Sequence, residues 1–175
     1  VLSILQLIVD TIASVLGGVL LLRFWMQAIR VRPPASVAQF TFTLSDWLVK
    51  PLRRIVPGAG GYDWASLIGA FLVVLLATSV LFIVGASVEQ VLLLALARFV
   101  KWIIYGFIAL LIIEAIFSWV NPHAPLAPFV HALNDPLLRP IRRVVPPIGG
   151  LDLSVLVAVL LLQIALYLLR TVVPI

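Results

Sequence analysis

The sequence has no cysteine and very few charges. Without cysteine there are no disulfides, no thiolate metal sites, no iron–sulfur clusters and no covalently attached haem. Only 11% of the 175 residues are charged, whereas 63% are apolar, and mean hydropathy is +1.23. A soluble domain carries about 25% charged residues, so this composition cannot build a water-facing surface. Histidine is scarce too. His123 and His131 are the only two, a poor basis for zinc or axial haem ligation. There is no phosphate-binding glycine loop, no HExxH and no nucleophile–base–acid set, so neither an enzyme nor a cofactor is expected.

What the sequence does have is long apolar runs. A membrane-crossing helix takes about 20 mostly apolar residues. Four runs qualify, giving spans at 3–27, 64–86, 102–120 and 153–171. Asp10 interrupts the first and Glu114 the third. The stretch 90–101 carries Arg98 and Lys101, so the third span either starts early, long and tilted, or is preceded by a short extra helix. The first span has no basic residues before it and outruns the apolar core of a signal peptide, so it reads as a retained span.

Charge sets the expected orientation. The net charge is +5, and ten of the twelve cations are Arg. Arg30, Arg32, Lys50, Arg53 and Arg54 lie between spans one and two, and Arg139, Arg142 and Arg143 between spans three and four. Arg98, Lys101 and Arg170 lie opposite. The positive-inside rule puts both long segments in the cytoplasm and both termini outside, and it makes nucleic-acid binding the weaker use of the excess charge.

The chain repeats itself. At an offset of 89, Lys50-Pro51-Leu52-Arg53-Arg54-Ile55-Val56-Pro57 aligns with Arg139-Pro140-Ile141-Arg142-Arg143-Val144-Val145-Pro146. Gly60-Gly61 aligns with Gly149-Gly150, Asp63 with Asp152, Asp46 with Asp135 and Phe40 with Phe129. Two repeats follow, 1–88 and 89–175, each a span, an amphipathic segment and a second span. Both intervening segments are basic, so the repeats share one orientation, about a pseudo-two-fold axis along the membrane normal. The fold expected is all-α, with four transmembrane helices.

The intervening segments are helical and lie in the membrane plane, at 35–57 and 124–146. Val37, Phe40, Leu44, Trp47 and Leu48 fall on one helical face, and Leu126, Phe129, Leu133 and Leu137 repeat it. Pro51 and Pro140 are expected to end or kink these helices. The Gly-Gly pairs turn into the next span, and Asp63 and Asp152 are expected to cap it.

The doubled Pro-Leu-Arg-Arg-Ile-Val-Pro…Gly-Gly…Asp block resembles the YggT family of bacterial and plastid membrane proteins. Leu21-Leu22-Arg23-Phe24-Trp25-Met26-Gln27 and Asn134-Asp135-Pro136-Leu137-Leu138-Arg139 carry the same resemblance. Trp47, against Pro136 in the second repeat, and Glu114, where the first repeat has Arg, depart from the repeat pattern. The resemblance implies a small inner-membrane protein. For bacterial members it implies roles in osmotic-stress tolerance and potassium handling. For plastid relatives it implies roles in cytochrome maturation and nucleoid organisation.

Among candidate functional residues, Arg23 and Glu114 come first. Aligned on the spans, they correspond at an offset of 91, so they could face each other across the axis and pair inside the membrane. A charge swap would then partly restore function. Lys50, Arg53 and Arg54, with Arg139, Arg142 and Arg143, form two basic clusters suited to anionic headgroups, each cation worth about 1 kcal/mol near such a leaflet. Asp10 either sits at the outer headgroups or meets Arg98 or Lys101. Gln163 is placed to bond another helix. Ala13…Gly17, Ser14…Gly18 and Ala65…Gly69 permit close helix contact. Two function classes remain. One is a scaffold or assembly factor with a membrane-protein partner or a second copy. The other is a small channel or transporter component for potassium or protons.

Overall fold

The computed structural model describes residues 2–145 and 152–173. Six helices follow in order: α1 (Leu2–Ala28), α2 (Ala35–Ile55), α3 (Trp64–Ser79), α4 (Val88–Val120), α5 (Ala127–Val144) and α6 (Leu153–Val172). A 3-10 turn over Val80–Val84 prolongs α3 and ends at Gly85, whose φ of 85° is left-handed. Four helices are long and apolar enough to cross a membrane: α1, α3 with its 3-10 extension, α4 and α6. The molecule is thus an all-α, multi-pass membrane protein of two tandem repeats.

The third span differs from its expected limits. The stretch 88–101 is no separate helix but the opening part of α4, which runs 33 residues. A capping box starts it: Ser87 Oγ accepts from the Gln90 backbone N–H at 3.2 Å, and Gln90 Oε1 accepts from the Ser87 N–H at 2.9 Å. At 1.5 Å per residue the helix is about 50 Å long, against a hydrocarbon layer of about 30 Å, so it must tilt or project. Arg98 lies within it because it has a partner. Its Nη2 meets Asp10 Oδ1 on α1 at 2.5 Å, and its Nη1 reaches Thr78 Oγ1 on α3 at 3.4 Å. The same pair places Asp10 against α4 rather than free among headgroups.

Packing centres on α3 and α4. In hydrocarbon, helix association draws on dispersion and close approach, because lipid tails are as apolar as the core. Small residues therefore line the contacts. Ala65, Ala70, Val73 and Ala77 of α3 bury against Ala13 and Leu20 of α1 and Val49 of α2. Gly69 is met by Leu52, Leu48 and Leu20, and the Trp102 ring lies directly over Gly17, leaving no room for a β-carbon. Ala13…Gly17 and Ala65…Gly69 are thus close-contact positions, whereas Gly18 is exposed. In the second repeat, Leu111, Leu138 and Ala158 join α4, α5 and α6.

Neither amphipathic helix ends at its proline. α2 runs through Pro51 to Ile55, and α5 through Pro136 and Pro140 to Val144. All three prolines are exposed, so the carbonyls they leave unpaired point away from the packed core. In α2 the fully buried stripe is not the apolar one: Phe40 and Trp47 stay exposed, and Thr41, Ser45 and Val49 turn inward. α5 instead buries a mostly apolar set, Val130, Leu133, Asn134 and Leu138, of which Leu133 belongs to the expected stripe. Between α2 and α3, Gly60 and Gly61 have φ of 67° and 82°, a left-handed turn that a side chain would strain. Their counterparts Gly149 and Gly150, with Pro146, lie outside the described residues.

Candidate functional site: two ionic clusters

Each repeat gathers its charges where its first span meets its in-plane helix. In the first, Arg23 near the end of α1 is the buried centre, its side chain 6% exposed. Its Nη1 donates to Ser45 Oγ and to Asp46 Oδ1, both at 2.7 Å, and both on α2. Its Nε lies 3.4 Å from Asp63 Oδ2 at the head of α3. Asp63, 2% exposed, also accepts from Arg53 at 2.6 and 3.2 Å and from Ser66 Oγ at 2.6 Å. Lys50 completes the set at 2.9 Å from Asp46. The Phe42 ring sits 4.8 Å from the Arg23 guanidinium carbon, a cation–π contact. One cation thereby ties three helices together.

In the second repeat the buried centre is an anion. Glu114 Oε1 meets His131 Nδ1 at 2.9 Å and Arg142 Nη2 at 3.5 Å. Arg142 takes over the bridging role. It reaches Asp152 Oδ2 at 2.7 Å and lies 3.9 Å from Asp135. Arg139 pairs with Asp135 one turn earlier, as Lys50 does with Asp46. Asn134, fully buried, donates to the Leu110 carbonyl at 2.9 Å. Two acceptors stay buried without a donor, Glu114 Oε2 and Asn134 Oδ1.

These neighbours set the acidities outside the spans. Hydrogen bonds from Lys50 and Arg23 hold Asp46 below its ordinary value. Burial pushes Asp63 up, but the hydrogen bonds from Arg53 and Ser66, with the charges of Arg53 and Arg23, outweigh it and leave the carboxyl lowered. Asp152 follows the same balance, with Ser154 and Arg142 outweighing burial. The bond to Asp63 raises Arg53 in turn.

Two hollows flank the clusters. One of about 460 Å³ opens beside the first cluster, with the charged Arg23, Asp46, Lys50 and Arg53 set among apolar walls that include Met26 and Phe42. An apolar cleft of about 330 Å³ lies at the seam between the repeats, walled by α1 and α4 with Leu67 of α3. Gly18 and Gly106 line it, and a β-carbon on either would meet nothing within 4 Å. Trp25 closes one end. Its ring stands edge-on to Phe107 at 5.0 Å, and its Nε1 donates to the Leu133 carbonyl of α5 at 2.9 Å. Among the described residues no group of three or more His, Asp or Glu side chains is placed to hold a metal.

The two-segment pattern recurs in known sequences. The profile of the CCB3/YggT family matches residues 2–84 and 93–173, nearly the whole chain in two pieces. The chain belongs to the CCB3/YggT family. It is 35% identical to the Escherichia coli K12 protein called Uncharacterized protein YggT, over 91% of this chain and 86% of that one. It is 33% identical to a Vibrio alginolyticus protein named for its place 3′ of proC, over 97% of this chain and 95% of that one. No solved structure matches.

Within this CCB3/YggT chain, several expected sites come out rearranged. Arg23 and Glu114 do not pair. Each finds its partners inside its own repeat: Asp46 of α2 lies 2.7 Å from Arg23, and His131 and Arg142 of α5 lie 2.9 and 3.5 Å from Glu114. Their correspondence does hold in burial, since Ala13 and Ile104, Leu20 and Leu111, and Arg23 and Glu114 are three buried pairs at the offset of 91. The two three-cation clusters split. Arg53 and Arg142 turn toward Asp63 and Asp152, Lys50 and Arg139 pair along their own helices, and Arg54 and Arg143 stay exposed. Asp152 caps α6 as expected, accepting from the Ser154 N–H at 3.0 Å and from its hydroxyl. Asp63 stands at the N-cap of α3 but makes no side-chain cap bond, its carboxylate being taken by Arg53 and Ser66. The sequence reading missed Asp46, Asp135, His131, Ser45 and Asn134 as cluster members. Their signal was polar spacing at i, i+4, Thr41-Ser45 and Asp46-Lys50 on α2 and His131-Asp135-Arg139 on α5, which the apolar stripes overshadowed.

Proposed function

We propose that the protein is a non-catalytic scaffold or assembly factor of the bacterial inner membrane, contributing to osmotic or envelope-stress tolerance. In this reading both in-plane helices face the cytoplasm, where Arg54 and Arg143 meet anionic headgroups or a partner and the exposed Phe40 and Trp47 enter the membrane surface. The observation that carries it is the placement of charge. Apart from the Asp10–Arg98 pair that joins α1 to α4, the ion pairs fall into two separate clusters, one per repeat, and the hollow between the repeats is apolar. A transport path would need a polar lining or interrupted spans. The test is purification from native membranes in mild detergent, with companions identified by mass spectrometry. A stoichiometric partner lost on mutating Arg54 and Arg143 to Ala supports the scaffold; a chain without companions counts against it.

One observation favours a second reading, a small channel or transporter component for a monovalent cation or protons. Glu114 Oε2 and Asn134 Oδ1 are buried acceptors without donors, which a cation or proton could satisfy. Liposome flux that depends on Glu114 and falls in Glu114→Gln would support it. Absence of flux in the intact chain removes it.

A further inference from the structure

The sixth helix carries a polar group that nothing among the described residues satisfies. α6 packs inward through Ser154, Ala158 and Leu166. Gln163, nine residues beyond Ser154, lies on the opposite face and is exposed. It is the eleventh of twenty residues, about 15 Å from either helix end and so at the centre of the hydrocarbon. Among the described residues the side-chain hydrogen bonds of α6 are made by Ser154, Arg170 and Thr171, and Gln163 makes none. Several other polar groups in the spans find partners among the described residues. Thr11, Ser14, Thr78 and Ser79 bond carbonyls of their own helices, and Asp10 pairs with Arg98. Lipid tails offer neither donor nor acceptor.

The neighbours of Gln163 form a seam. Leu156, Leu160, Gln163 and Tyr167 are spaced four, three and four apart, the pattern by which two helices interlock, and the three flanking residues are 59%, 50% and 68% exposed. One polar residue at such a seam fixes register and partner number.

We propose that α6 is the contact face of a homodimer, in which Gln163 of one protomer hydrogen-bonds the same residue of its partner at mid-membrane. A second copy is the fitting occupant because a carboxamide is both donor and acceptor. A two-fold axis along the membrane normal brings identical depths together, so each amide meets its complement by symmetry. The inference goes beyond the scaffold reading and does not depend on it.

The chain has no cysteine, so single-cysteine variants of the full chain report contacts cleanly in native membranes. Leu160→Cys and Tyr167→Cys on the seam should cross-link to twice the chain mass on mild oxidation. Leu161→Cys, equally lipid-exposed but off the seam, should not. In the Leu160→Cys background, Gln163→Leu should weaken self-association in liposomes roughly 5- to 30-fold, the effect of an interhelical amide contact in model spans. Gln163→Asn should retain part of it. Equal cross-linking on and off the seam, or none, overturns the proposal. Cross-linking to a chain of different mass also overturns it and assigns the seam to another protein. All the substituted side chains are exposed, so loss of fold does not confound the outcome.

Discussion

The two repeats share a backbone plan and invert its charge. In both, the first span delivers a buried ionic residue, the in-plane helix presents an Asp with a cation one turn on, and the next span begins at an Asp held by an Arg. In the first repeat the buried centre is Arg23, with a phenyl ring beside it. In the second it is Glu114, with an imidazole at the position equivalent to Phe42. The second cluster needs a bridging cation, and Arg142 serves, whereas its counterpart Arg53 holds Asp63 alone among the carboxylates within ion-pair reach. The difference teaches that the fold requires charge neutralisation at this junction rather than a fixed sign. A buried charge is tolerated only when paired, and the in-plane helices supply the pairing.

The largest effect should come from Arg23→Ala. It would leave Asp63 buried with Arg53 alone and remove the tie between α1, α2 and α3. Breaking one side of a buried ion pair costs about 3–5 kcal/mol, readable as a lowered unfolding midpoint in detergent. Exchanging the two centres, Arg23→Glu with Glu114→Arg, should be worse than either single change. It would place three acids together in the first repeat and two arginines in the second. Rescue by the exchange would instead mean that Arg23 and Glu114 pair directly.

Glu114→Gln should cost less, about 1.5–3 kcal/mol for lost charged hydrogen bonds. Its partners are more open to solvent, His131 at 54% and Arg142 at 28% exposure, and Arg142 keeps Asp152. If Glu114→Gln proved as costly as Arg23→Ala, the ranking of the two clusters would be wrong.

Much of this plan was legible beforehand. The repeat at offset 89, the four spans and the in-plane helices are written in apolar period and in the doubled Pro-Leu-Arg-Arg block. The two-residue slip that aligns Arg23 with Glu114 was also readable. The pairing was not. Periodicity ranks the faces of α2 by apolarity, but an amphipathic helix beside a membrane can turn an apolar face to lipid or to protein. The stripe that packs inward, Thr41, Ser45 and Val49, is the smaller and more polar one, and only tertiary packing reveals it. The continuous α4 was legible only as one of two alternatives, for a related reason. Arg98 and Lys101 look prohibitive within a span until Asp10, 88 residues earlier, is brought alongside Arg98.

Acid should separate the repeats next. Asp46, Asp63 and Asp152 all have lowered acidities when folded. Each therefore stabilises the fold fully above the ordinary Asp value of 3.8, and that stability is lost as pH falls through the lowered folded values. The first repeat holds two such groups and the second one. Hydrogen exchange in nanodiscs stepped downward from neutral pH should show α2 loosening more steeply than α5. Equal slopes would indicate that the second cluster holds its carboxylates as tightly as the first.

The smallest effect, and the finest test of the inversion, lies at the ring beside each centre. Phe42→Leu removes the cation–π contact to Arg23 and should cost about 0.5–1 kcal/mol, since Phe42 is 41% exposed. His131→Phe puts the first repeat's ring beside the second repeat's anion. The face of an aromatic ring is negative, so it cannot replace the 2.9 Å contact of the imidazole with Glu114. His131→Phe should therefore destabilise more than Phe42→Leu, and Glu114→Gln should relieve part of that loss by removing the anion. If His131→Phe is harmless with Glu114 intact, the imidazole contributes nothing to holding the anion, and Arg142 alone neutralises the second cluster.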